Sequence, residues 1–203
     1  GILPDEHGRG QESPARSAKG YKKLDINYST SELGLGLGVS IKTITSRDPR
    51  TKRYTKNYTR IDNELRAEAI DYHKRQPFAV MVALIFLPCD ACDDGRAGSS
   101  ANKRRGRNED ASSFGAAVRQ FRYRSNRRDY KNDVDLFELV LLGLYEPEGD
   151  HAGEVRFFDV MRRPPRFGRP KSEASLTFEE SLMLIKMVFD DRNNPPFEWA
   201  PED

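Results

Sequence analysis

Residues 33–42, LGLGLGVSIK, alternate without a break: Leu33, Leu35, Leu37, Val39 and Ile41 against Gly34, Gly36, Gly38, Ser40 and Lys42. A period of two predicts a strand with one buried face, running on through Thr43 and Ile44. Upstream, YKKLDINY (21–28) predicts a second strand, and STSE (29–32) the turn that joins the two as a hairpin. In residues 61–75, Ile61, Leu65, Ala69 and Tyr72 recur at helical spacing, with Asp62 as the expected N-cap and Pro77 as the stop. FAVMVALIFL (78–87) has no polar alternation, so it predicts a strand buried on both faces and covered by helices on each side. Strands are also expected over 114–124, 134–146 and 155–162. A last helix is expected over 178–192, opened by a capping box of Thr177 and Glu180 and carrying Phe178, Leu182, Ile185, Met187 and Phe189. The pattern as a whole predicts an α/β domain with a mixed sheet of about five or six strands.

Two stretches lack apolar periodicity. Residues 1–20 read as a flexible arm with a short helix around Pro14 to Ala18. Residues 90–113 read as a flexible insertion in a single domain spanning 21–203. No internal repeat is visible.

Composition narrows the class. The chain has 203 residues, 36% hydrophobic and 33% charged, with 34 Lys and Arg against 32 Asp and Glu. A net charge of +2 does not by itself announce a nucleic-acid partner, so the distribution of charge matters more. The longest apolar run, 78–87, is too short to cross a bilayer, and no signal peptide is visible. Cys89 and Cys92 cannot complete a zinc site without two further ligands, for which only His73 and Asp90 offer themselves. Plain reduced thiols in a cytoplasmic protein are the expectation. His7, His73 and His151 lack metal-ligand spacing, His73 being placed at a helix end where a cation suits the dipole. The glycines alternate inside a strand, which excludes a phosphate-binding loop, and no serine nucleophile elbow occurs.

The chemistry concentrates on the alternating strand. Ser40 and Lys42 point the same way, and a Lys there needs a partner, for which Asp25 on the neighbouring strand is the natural choice. The bare glycine edge is expected to leave room for another backbone or a ligand. An Asp on one strand and an x-x-Lys on the next, carried by Leu24-Asp25-Ile26-Asn27 and Val39-Ser40-Ile41-Lys42-Thr43, resembles the PD-(D/E)xK nuclease superfamily. The resemblance covers roughly residues 20–88. It implies a restriction-endonuclease-like fold, in which a mixed central sheet is flanked by helices. It further implies a magnesium ion (manganese as substitute) held by Asp25 and a second carboxylate, with Lys42 beside the attacking water. The chain departs from the pattern in two places. Leu24 stands where Pro is common, and Ser40 stands where the second carboxylate belongs. Some restriction enzymes of the superfamily draw that carboxylate from the following helix. Glu64 is the first candidate here, Glu68, one turn on, the second, and Glu12 in the arm the third. Ser40 would then hydrogen-bond a metal-bound water or a carboxylate.

Basic and aromatic residues interleave in three stretches. The first holds Arg47, Arg50, Lys52, Arg53, Lys56 and Arg60 around a single acid. The second holds Arg119, Arg122, Arg124, Arg127 and Arg128. The third is 162–171. Phosphate contacts require such clusters. The resemblance and these stretches together give the expectation of a magnesium-dependent endonuclease on double-stranded DNA, restriction- or defence-related, with a homodimer as one arrangement. Its rivals are a non-catalytic nucleic-acid-binding module on a degraded nuclease fold, and a protein-interaction domain whose charge only solubilises it.

Overall fold

The computed structural model describes residues 13–17, 20–30, 34–95, 112–165 and 168–193. The arm residue Glu12, the turn residues 31–33 and most of the expected insertion, 96–111, lie outside the described residues. The strands are β1 (Ser13–Ser17), β2 (Gly20–Leu24), β3 (Ile26–Thr30), β4 (Gly34–Thr43), β5 (Val80–Pro88), β6 (Leu139–Tyr145) and β7 (Val155–Asp159). The helices are α1 (Tyr58–His73), α2 (Ser113–Phe121) and α3 (Phe178–Arg192).

β3 to β7 form one sheet in chain order, with antiparallel outer pairs and β4, β5 and β6 parallel. Parallel neighbours cannot be joined by a tight turn, and α1 and α2 lie on the connections from β4 to β5 and from β5 to β6. β5 is the central strand that its sequence predicts. Met81, Ala83, Ile85 and Leu87 join the apolar cluster that contains α1 and α2. Val80 and Val82 join the one that contains Ile185 of α3. The result is a layered α/β domain, consistent with a restriction-endonuclease-like fold. No helix among the described residues is long and apolar enough to cross a membrane.

Several local expectations are corrected. The strand expected over 21–28 breaks at Asp25: β2 pairs with β1 in a separate two-stranded ribbon, and β3 begins the main sheet. Residues 13–17 are strand, not the short helix expected there. Residues 113–121 are helix, not strand. Phe114, Ala117, Val118 and Phe121 are all buried and stand at i, i+3, i+4 and i+7, and the Ser112 side chain caps the N-terminus by accepting from Gly115 N–H. The expected strands 134–146 and 155–162 contract to β6 and β7. α1 starts a turn earlier than expected, at Tyr58. Asp62 is therefore inside the helix and does not cap it. The α3 capping box is present as expected, with Thr177 Oγ1 accepting from Glu180 N–H at 3.1 Å and Glu180 Oε2 accepting from Thr177 N–H at 2.7 Å.

The alternating strand hides a bulge. Tyr28 pairs with Leu37 and Ser29 with Leu35, which leaves Gly36 as the extra residue. The side-chain alternation shifts there. Leu35 packs on the α1 side, while Leu37 and Val39 pack on the α3 side.

Candidate active site

β4 continues past the start of β3, so its later N–H groups on that edge lose their strand partners. A backbone donor in this position takes whatever acceptor is near. Asp25, at the bend between β2 and β3, supplies one: its Oδ2 accepts from Ile41 N–H at 2.5 Å. Ile41 stands between Ser40 and Lys42, whose side chains leave the opposite face of the strand and meet α1.

There the two side chains share one carboxylate. Ser40 Oγ donates to Glu68 Oε2 at 2.6 Å, and Lys42 Nζ donates to Glu68 Oε1 at 2.7 Å. Ser40 is only 1% exposed, while the Lys42 and Glu68 side chains keep 19% and 22% of their surface. The cluster is thus anchored at its inner end and open to solvent at its outer end. Charge-assisted hydrogen bonds of this length are the stronger kind.

The second-choice carboxylate is the one that reaches the strand. Glu68 follows Leu65 by three and precedes Tyr72 by four, both buried, so it borders the inward stripe of α1. Glu64 is rotated further outward, and Arg60 holds it in a surface pair at 3.1 Å. The Lys42 ammonium pairs with Glu68, not with Asp25 as expected; Asp25 instead serves the backbone of the same strand.

The glycine edge is not open. A Cβ on Gly38 would come within 2.7 Å of Met81 Sδ and 2.8 Å of Leu24 Cδ1, so the chain's own core fills that space. Gly34 has φ +71°, a conformation that favours glycine, and Gln76 closes over it, accepting from Leu35 N–H at 2.8 Å.

The basic candidates divide by partner. Arg127 is buried and donates to Glu138 Oε1 at 2.9 Å and to the carbonyls of Pro77, Tyr130 and Asp133. Arg124 donates to Asp62 and Asp135, each at 2.8 Å. Arg122 donates to the carbonyls of Val160 and Arg162. These three hold the α2–β6 connection in place, so the structure turns them inward, away from a nucleic-acid surface. Local sequence cannot separate such residues from free cations, because their partners lie up to 62 positions away. Arg47 donates to Tyr54 Oη and Asp90 Oδ2, which removes Asp90 as a zinc ligand beside the cysteines. Arg53 has partners of its own. Arg119 sits half-buried in the last turn of α2. Arg50, Lys52, Lys56, Arg60 and Arg128 remain exposed.

Cys89 and Cys92 are free and buried, and burial raises both thiols, Cys89 to about 11. Thiols this far above neutral pH are weak nucleophiles and poor metal ligands. His73 is buried at the end of α1, where Nδ1 faces the Val134 carbonyl at 3.2 Å and Nε2 lies 3.6 Å from Glu138.

The donor set suits a hard dication only in a spare form. No group of three His, Cys, Asp or Glu side chains gathers among the described residues. Magnesium, however, is commonly held by one or two carboxylates, its remaining positions going to water and substrate phosphate. Asp25, at the β2–β3 bend, and Glu68, on α1, are two carboxylates hydrogen-bonded to consecutive residues of β4. No family model matches the chain, and no curated protein or solved structure matches it either.

Proposed function

We propose that the chain is a divalent-metal-dependent endonuclease acting on double-stranded DNA, in a restriction or defence role. The observation that carries this reading is the meeting of Ser40, Lys42 and Glu68 beside the Asp25-bound segment of β4. Four polar side chains from three elements converge on a three-residue stretch of strand, with the cation at the solvent edge. Asp25 and Glu68 would hold the magnesium ion. That ion supplies Lewis-acid polarisation of the phosphate and a more acidic bound water. Ser40 fixes one oxygen of Glu68 and so orients the carboxylate. Lys42 places a positive charge where a phosphate dianion would develop and can hydrogen-bond the attacking water. The attacking water forms a bond to phosphorus and releases a proton to solvent, the bond from phosphorus to the leaving oxygen breaks, and that oxygen takes up a proton from solvent.

Cleavage of mixed-sequence and modified duplex DNA tests the reading, with magnesium or manganese and with EDTA. Metal-dependent cutting by the wild type, lost in Lys42→Ala and in Glu68→Gln, is expected, with DNA binding retained. Undiminished cutting by Lys42→Ala would overturn the mechanism.

One observation favours a second reading. Both oxygens of Glu68 are already engaged by Ser40 and Lys42, and no third ligand gathers among the described residues. A degraded nuclease fold that only binds nucleic acid would look the same. It predicts salt-sensitive binding without cutting under any metal.

A further inference from the structure

The β4–α1 connection, residues 44–57, carries five Lys or Arg against one acid, and it is built rather than loose. Its single acid, Asp48, is turned onto the backbone. Oδ1 accepts from Arg50 N–H at 3.0 Å and from Thr51 N–H at 2.8 Å. The Asp48 carbonyl accepts from Lys52 N–H at 2.8 Å, and Asp48 N–H donates to the Arg53 carbonyl at 2.7 Å. Lys52 takes the left-handed conformation, φ 59°, which closes this turn. The Thr51 N–H is the largest influence holding the Asp48 carboxyl below its usual value. The Lys56 ammonium acts weakly in the same direction.

The cations of the connection do not all face one way. Arg47 and Lys52 line a cavity of about 400 Å³ together with Asp90, Asp93, Asp94 and Arg169. Three carboxylates there repel a phosphate. Arg50, Lys56 and Arg60 do not line that cavity. Among the described residues, the only carboxylate paired with any of them is Glu64, bound to Arg60 in an exposed i,i+4 pair. α1 begins directly after the loop without an acid in its first turn. From there to Glu68 the helix runs about 15 Å at 1.5 Å per residue, the length of a few nucleotides of backbone.

We propose that Arg50, Lys56 and Arg60 form a phosphate track that grips the DNA backbone on the approach to the Ser40–Lys42–Glu68 cluster. The partner is duplex DNA, an inference that rests on the nuclease reading for its choice of polyanion. The track acts in binding alone and needs no metal.

The experiment is equilibrium binding of the full chain to a fluorescent 30-base-pair duplex in EDTA across a salt series. The triple variant R50Q/K56Q/R60Q is compared with wild type and with K74Q/R75Q, which removes two exposed charges at the opposite end of α1. Each lost phosphate contact lowers the slope of log K against log salt by about 0.9. The triple variant should therefore flatten the slope by about two to three while K74Q/R75Q stays at wild type. Equal flattening in both variants, no flattening in either, or no salt-dependent binding by the wild type would overturn the proposal. Thermal melting confirms that these surface variants fold. Cleavage is read separately with metal. A flattened slope in a protein that never cuts DNA leaves the track standing and removes the nuclease reading.

Discussion

Two glutamates in this molecule each gather positive charge, and they differ in what surrounds them. Glu138, just before β6, is 5% exposed at its side chain. It accepts from Met81 N–H at 2.7 Å, Arg127 Nη1 at 2.9 Å and Arg192 Nη2 at 2.8 Å, with His73 Nε2 3.6 Å away. Among the described residues, Glu68 accepts only a hydroxyl and an ammonium, and it keeps a fifth of its surface in solvent. The first carboxylate accepts from rigid donors on β5, the α2–β6 connection and α3, so it fixes how those elements meet. The second can exchange a partner without unfolding anything, because Lys42 is flexible and water is at hand. Abundant ionic bonding therefore marks structure at one site, and sparse ionic bonding marks candidate chemistry at the other.

The largest effect expected from this contrast is on stability. Glu138→Gln leaves the buried Arg127 and the half-buried Arg192 without their carboxylate, which costs about 3–5 kcal/mol. Glu68→Gln, at the solvent edge, costs about 1 kcal/mol. Urea unfolding of the two variants measures the difference, and similar losses would erase the comparison. The Glu138 site also sets a pH dependence. Burial pushes its carboxyl up, but neighbouring His73, the Met81 N–H and Arg127 outweigh burial and hold it below the ordinary value of 4.5. Burial draws the Arg127 guanidinium down as well, yet arginine stays charged at any accessible pH, so the carboxylate governs the response. A depressed carboxyl contributes stability that is complete above pH 4.5 and is lost as pH falls through the folded value. The acid limb of the stability curve should be shallower in Glu138→Gln than in wild type, and an unchanged limb would remove Glu138 from the account.

A smaller effect sharpens the geometry around the open site. Gly38→Ala drives a methyl into Met81 and Leu24. The overpacking should cost about 1–2 kcal/mol, toward the lower end because a methionine adapts. A neutral or stabilising result in thermal melts would mean that the glycine edge is free after all. The smallest effect belongs to Glu64. Glu64→Gln breaks an exposed i,i+4 pair, which is worth about 0.3–0.5 kcal/mol, and should leave any metal-dependent cutting intact. Loss of cutting in Glu64→Gln, with Glu68→Gln unaffected, would exchange the roles of the two carboxylates.

Local pattern alone determined the elements whose partners are close in sequence or whose burial is complete. β5 was legible because an unbroken apolar run has no polar face to offer. α3 was legible because its capping box is satisfied within four residues. The Ser40–Lys42 pair was legible because a strand puts alternate residues on one face. Residues 113–121 carry a helical stripe that is equally an apolar run; Ser112 at its N-terminus and the packing of the stripe against β5 and Phe158 decide for helix. The break at Asp25, the bulge at Gly36, the choice of Glu68 and the inward turn of Arg124 and Arg127 were decided only by tertiary structure. Each depends on how far a helix is rotated, or where one strand ends beside another, relative to groups 6 to 62 residues away. Hydrophobic period reports which face is buried; it carries no information about the height or angle at which two buried faces meet.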